Sequence, residues 1–161
     1  TRLGEAKFPF LAVNMFEAKT GKYPAWKNLK PSTLVTVAGV KVGVIGAITP
    51  ETPLVTVPQN VESLEFKPPA PLVAKEAAAL RKQGAQVIVL VTHIGGECKN
   101  TSNPEDLSSC NAHSEVFELV GNLPKGTVDV VVGGHTHKYI AQHHSGGSAV
   151  VGKSGRGGFH R

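Results

Sequence analysis

The sequence predicts an α/β fold built on parallel strands, and three observations carry that prediction. Val87-Ile88-Val89-Leu90-Val91-Thr92 and Val128-Asp129-Val130-Val131-Val132 are short apolar runs rich in β-branched residues, the signature of strands buried in a sheet. Each run follows a segment with helical character. Each also ends in a glycine- and histidine-bearing stretch, His93-Ile94-Gly95-Gly96 and Gly133-Gly134-His135-Thr136-His137. A helix–strand–helix–strand order implies two parallel strands joined by a right-handed crossover.

In chain order, residues 8–14 (Phe-Pro-Phe-Leu-Ala-Val-Asn) read as a short strand. Residues 17–32 are polar and contain Pro and Gly, so they read as a loop, with Trp26 expected to pack onto the body. Residues 33–37 and 40–46 flank Ala38-Gly39 as a hairpin, and Gly43 and Gly46 within a strand mark close approach of another segment. Residues 49–53 (Thr-Pro-Glu-Thr-Pro) form a turn, and 61–66 one further short strand. Residues 71–83 favour a helix by propensity, with Gly84 as its C-terminal stop, and the 86–92 strand follows at once. Ser114 is placed to cap a helix over 114–120, which Leu123-Pro124-Lys125-Gly126 ends before the 128–132 strand. A turn at 145–148 leads into a strand beginning at Ala149.

The 161 residues could form one domain, and a 40% hydrophobic content is enough for a packed core. No run of 18 apolar residues reads as a transmembrane helix, and Thr1-Arg2-Leu3-Gly4-Glu5 has no apolar leader character. The formal charge of +5 comes from scattered Lys and Arg without a basic block or interleaved aromatics, which argues against nucleic acid as a partner. The two cysteines, Cys98 and Cys110, enclose eleven polar, turn-rich residues. A disulfide there is expected to contribute on the order of 3 kcal/mol by restricting the unfolded chain. It implies an oxidising compartment, the periplasm or the cell exterior. Zinc binding by the cysteine pair is disfavoured, because the spacing is not that of a C-x-x-C knuckle.

His93, His135 and His137 are the candidate metal ligands. In open α/β sheets, ligands bind beyond the carboxyl ends of strands, and neutral imidazole is the commonest side-chain metal ligand. The other histidines carry less. His113 precedes a helix and His143-His144 lie beside a turn, so all three are expected in solvent, as is His160 in the glycine-rich end. Asn14 is expected to be structural. Residues 152–158 lack the spacing of a phosphate-binding P-loop, and Arg156 is expected to be solvated. Ser108, Ser109 and Ser114 near His113 do not make a hydrolase triad, because no G-x-S-x-G elbow is present.

Taken together, these segments resemble the calcineurin-like metallophosphoesterases, and within them the secreted 5'-nucleotidases. Residues 8–14 resemble that family's FPxLxAN strand, and Val44 to Pro53 its GxTxxxTP segment. Val91-Thr92-His93-Ile94-Gly95 resembles the segment of a metal-ligand histidine, and Gly134-His135-Thr136-His137 the GHxH motif. The resemblance implies an α/β/β/α sandwich with mixed sheets and a centre of two divalent metal ions (Zn, Mn, Mg, Co or Fe). His93 and His135 would bind one ion and His137 the other. It further implies a nucleotide or related phosphoester as substrate, hydrolysed by a metal-activated water.

The family's D-x-H, G-D and G-N-H-E/D motifs, which supply the carboxylates, do not occur in residues 1–161. The expectation is therefore that 1–161 is an internal part of a metallophosphoesterase domain, with N-terminal metal motifs and a C-terminal substrate domain lying outside it and with little activity of its own. The alternative is a complete short protein of other function. Within the enzyme reading, related hydrolases remain open: a 2',3'-cyclic-nucleotide phosphodiesterase, a UDP-sugar hydrolase or a sulfur-oxidation thiohydrolase. So does a non-catalytic metal-binding module. One expectation is tested without any assay of function. Thiol titration of the denatured, unreduced protein should find neither Cys98 nor Cys110 reactive, and two reactive thiols would overturn the bond.

Overall fold

The computed structural model describes residues 2–152. Its centre is a six-stranded mixed sheet in the order β4-β5-β7-β8-β10-β9. The strands are β4 (Ser32–Val37), β5 (Val40–Ile48), β7 (Val87–His93), β8 (Val130–Gly133), β9 (Ile140–His143) and β10 (Ala149–Gly152). The expected parallel pair is part of a longer parallel run: β5, β7, β8 and β10 all point the same way, and β4 and β9 close the two edges antiparallel. Four short strands stand apart. β1 (Phe10–Leu11) pairs in parallel with β3 (Leu29–Lys30), and β2 (Met15–Glu17) pairs antiparallel with β6 (Leu64–Phe66).

The β4–β5 hairpin turns where it was expected. Ala38 (φ 49°) and Gly39 (φ 84°) are both left-handed, as the twist of a two-residue hairpin demands. The segment after β5 does more than turn, because Thr52–Val55 winds into a short helix, α1. Helix α2 (Pro69–Lys82) begins two residues earlier than propensity suggested. Prolines fit its first turn, where their missing N–H has no intrahelical partner to lose. Ser114 holds the cap position of α3 (Glu115–Gly121), but its hydroxyl donates back to Asn111 O at 2.7 Å instead of capping the helix.

Helices α2 and α3 cover one face of the sheet. Ile45, Ile88, Leu90, Val131 and Val150 on that face are fully buried against Val73, Ala77, Leu80, Val116 and Val120. Arg81 near the end of α2 reaches Asp129 at 2.7 Å, and the same carboxylate oxygen accepts the Ile88 N–H at 2.6 Å, fixing the helix to the starts of β7 and β8. The opposite face alternates out of phase. It carries Val35, Val91, Val132 and Val151, each about 40% exposed (40%, 43%, 39% and 39%).

Residues 8–14 form a two-residue strand and then a buried crossing, not a full strand. Leu11 lies so close to β5 that a Cβ at Gly46 would stand 2.1 Å from its carbonyl oxygen. Asn14, fully buried, donates to Ile48 O (2.8 Å) and Lys67 O (2.9 Å) and accepts from Ile48 N (3.0 Å), so its structural role holds. Trp26 packs only in part. It is 42% exposed and lines an apolar hollow of about 440 Å³ with Leu3, Phe10, Leu29 and the end of β7. Backbone at 2.1 Å cannot yield to a methyl group, so Gly46→Ala should destabilise the fold by at least about 2 kcal/mol in chemical denaturation. A loss under roughly 0.5 kcal/mol would show that Leu11 is not held against β5.

Candidate metal centre

The parallel strands β5, β7 and β8 place their carboxyl ends on one edge of the sheet. His93 is the last residue of β7, and His135 lies two residues past the end of the adjacent β8. Their rings meet there: His135 Nδ1 is 3.2 Å from His93 Nε2, with centroids 5.0 Å apart and planes at 64°. Which of the two nitrogens donates depends on the tautomers of the rings.

The loop carrying the second histidine is conformationally unusual. His135 (φ 74°) and His137 (φ 58°) are both left-handed, at a cost of roughly 1–2 kcal/mol each. The intervening Thr136 is tied down, with its hydroxyl donating to Gly96 O at 2.8 Å and its N–H to Gly134 O at 2.9 Å. Gly134 N donates to Ile94 O at 3.1 Å, and Lys138 Nζ lies 3.3 Å from Glu97 Oε1. The two loops are thus laced together over their whole facing length.

The structure brings His93 and His135 together and leaves His137 on the far side of Thr136, exposed. Two converging imidazoles suit a divalent transition metal as two of its ligands. Among the described residues no three His, Cys, Asp or Glu side chains group as a ligand set. The donors present therefore fit part of a centre, not a whole one. A carboxylate contact at this end of the sheet escaped sequence reasoning: Thr49, buried just past β5, donates its hydroxyl to Glu115 at the start of α3. Only the fold brings residues 49 and 115 together.

The segment after His93 is pinned. Cys98 and Cys110 are disulfide-bonded, with Cα atoms 3.9 Å apart. The enclosed loop lies along β9, where the buried Gln142 donates to Asn103 O (3.0 Å) and Asp106 O (2.7 Å) and His143 N donates to Pro104 O (2.7 Å). Hydrogen bonds from the Ser108 side chain and backbone hold the Asp106 carboxyl below the usual carboxylate range. His143 is exposed as expected, yet its ring pairs with Glu105 at 2.5 Å. His144 is half-buried, and its Nδ1 accepts from Gly146 N. His113 is almost fully exposed. Neither Ser108 nor Ser109 contacts a histidine: Ser109 bonds Asn100 O, and the Ser108 N–H donates to Asp106. Arg156 and His160 lie outside the described residues.

Comparison with known proteins adds the relatives. A 5'-nucleotidase of Vibrio cholerae is 31% identical over 136 residues, 84% of this chain. Protein UshA of Escherichia coli is 33% identical over 134 residues, 81% of this chain. The chain spans 23% and 22% of these two proteins. Among solved structures, a sulfate thiohydrolase, SoxB, of Thermus thermophilus superposes with a TM-score of 0.70 at 20% identity, over 94% of this chain and 24% of that one. The calcineurin-like phosphoesterase YfkN of Bacillus subtilis superposes with a TM-score of 0.66 at 20% identity, over 91% of this chain and 46% of that one. These two establish a shared fold. No family model matches the chain.

Proposed function

This chain belongs to the 5'-nucleotidase family of calcineurin-like metallophosphoesterases, and from that premise we propose that it forms part of the metal-binding domain of a phosphohydrolase acting on nucleotide phosphate esters. The observation that carries the proposal is the meeting of His93 and His135 at the carboxyl ends of two adjacent parallel strands. His93 and His135 supply imidazole donors to one divalent ion, and His137 supplies one to a second. When bound, two such ions lower the pKa of a water toward neutrality and offset charge on phosphoryl oxygens. The chain's own contribution is positional: rigid strand ends hold the rings, and the disulfide-pinned loop limits movement of the segment that follows His93.

The remaining ligands, carboxylates above all, come from outside residues 2–152 in this proposal. The half-exposed valine face of the sheet supports the same view, since a second sheet laid on it would complete the sandwich. The disulfide supports a periplasmic or secreted location. No helix among the described residues is long and apolar enough to cross a membrane.

Outer-sphere partners of a metal ligand are each worth roughly 10–100-fold in affinity or activity, so a ligand itself should be worth more. His93→Ala, His135→Ala and His137→Ala, each made in the whole protein, should cut hydrolysis of a 5'-nucleotide at least about a hundredfold and lower bound metal measured by elemental mass spectrometry. Near wild-type turnover in any of the three would remove that residue from the centre. Tight metal binding with no hydrolysis of a phosphoester panel would favour a metal-binding module instead.

A further inference from the structure

The loop after β8 alternates in a way that the ligand assignment alone does not explain. Every second residue is an anchor to the loop after β7: Gly134 N–H to Ile94 O, Thr136 hydroxyl to Gly96 O, and Lys138 ammonium to Glu97 carboxylate. The residues between the anchors are the two left-handed histidines, His135 and His137. A peptide with left-handed residues on both sides of a tethered one does not hold that shape unaided, because a non-glycine residue disfavours the conformation. The loop after β8 also lies close on Gly95, although Thr136 itself is exposed. A Cβ at Gly95 would stand 2.5 Å from Gly134 O, 2.5 Å from Thr136 Cγ2 and 2.7 Å from Thr136 Oγ1. Glycine at 95 therefore lets the Thr136 side chain lie directly on the backbone of the neighbouring loop.

We infer that Thr136 is a positioning residue: its hydroxyl, locked to Gly96 O, sets the backbone on both sides and so turns His135 toward His93 and presents His137 beyond it. The exposed Lys138–Glu97 pair is a weaker anchor, since solvent screens it. Gly134 anchors by a backbone N–H that substitution does not remove. Thr136 is thus the anchor whose chemistry can be changed by mutation while the ligands stay in place.

This inference rests on the metal reading above, and the test separates the two. Thr136→Val, Thr136→Ala and Thr136→Ser are made in the whole protein, and Co²⁺ is titrated in alone against a competing chelator while its visible absorption is recorded. Thr136→Val and Thr136→Ala both remove the hydroxyl, at two sizes, so a steric failure of one leaves the other. Each should bind Co²⁺ about tenfold or more weakly and with an altered absorption envelope, at a thermal midpoint close to wild type. Thr136→Ser, which keeps the hydroxyl, should restore both affinity and spectrum. Wild-type affinity and spectrum in the Val and Ala variants would overturn the positioning role and leave the metal reading intact. If the unmutated protein takes up no Co²⁺, the metal reading fails and this inference fails with it.

Discussion

The in-register parallel pairing of β5, β7 and β8 is the constraint on which the rest of the molecule depends. Val44 lies beside Val89 and Val89 beside Val130; one pleat on, Gly46 lies beside Val91 and Val91 beside Val132. Parallel strands cannot be joined by tight turns, and the returns from β5 to β7 and from β7 to β8 pass through α2 and α3 across one face of the sheet. That geometry sends every loop of consequence to one edge. Thr49 meets Glu115, and His93 meets His135, because four chain segments all leave or approach the sheet at the same end. The close packing of α2 follows from the same strands: Gly43 leaves room for Leu80 and Ile88, whose methyl groups would stand 2.9 Å and 2.8 Å from any Cβ at that position.

The sheet is treated differently on its two faces, and residue type does not distinguish them. Both are dominated by valine and isoleucine. One is closed by α2 and α3 and excludes water entirely at Ile45, Ile88, Leu90, Val131 and Val150. The other leaves a row of valines half-covered. Strands that are apolar on both faces are, within residues 2–152, fully buried on one.

Much of this was legible in the sequence, for identifiable reasons. The β7 and β8 runs are apolar on both faces and could hardly be anything else. Ala38-Gly39 has the chemistry of a two-residue turn, and Gly84 (φ 93°) is left-handed just past α2. The three histidines stood out because they follow strands, and the structure places two of them in contact. What stayed hidden was whatever depends on distant residues. β9 (Ile140–His143) has no hydrophobic run to announce it; pairing with β10 and the carbonyls of the disulfide loop define it. Residues 8–14 have strand composition, but Leu11 must pass beneath Gly46, and the crossing interrupts the strand. The Thr136–Gly96 tether and the Thr49–Glu115 bond join residues 40 and 66 apart, a relation that no local pattern encodes.

The left-handed backbone at 135 and 137 bears on how such a site can change over time. Glycine, asparagine, aspartate and histidine enter that conformation more readily than other residues, while β-branched ones resist it. Substitutions at these two positions are therefore filtered by conformation before chemistry is tested. A swap from imidazole to carboxamide or carboxylate leaves the loop's path undisturbed, whereas valine or isoleucine would force the chain to a new course. The loop fixes where a donor atom stands more firmly than which donor it is, so the side chains there can change while the path of the backbone persists.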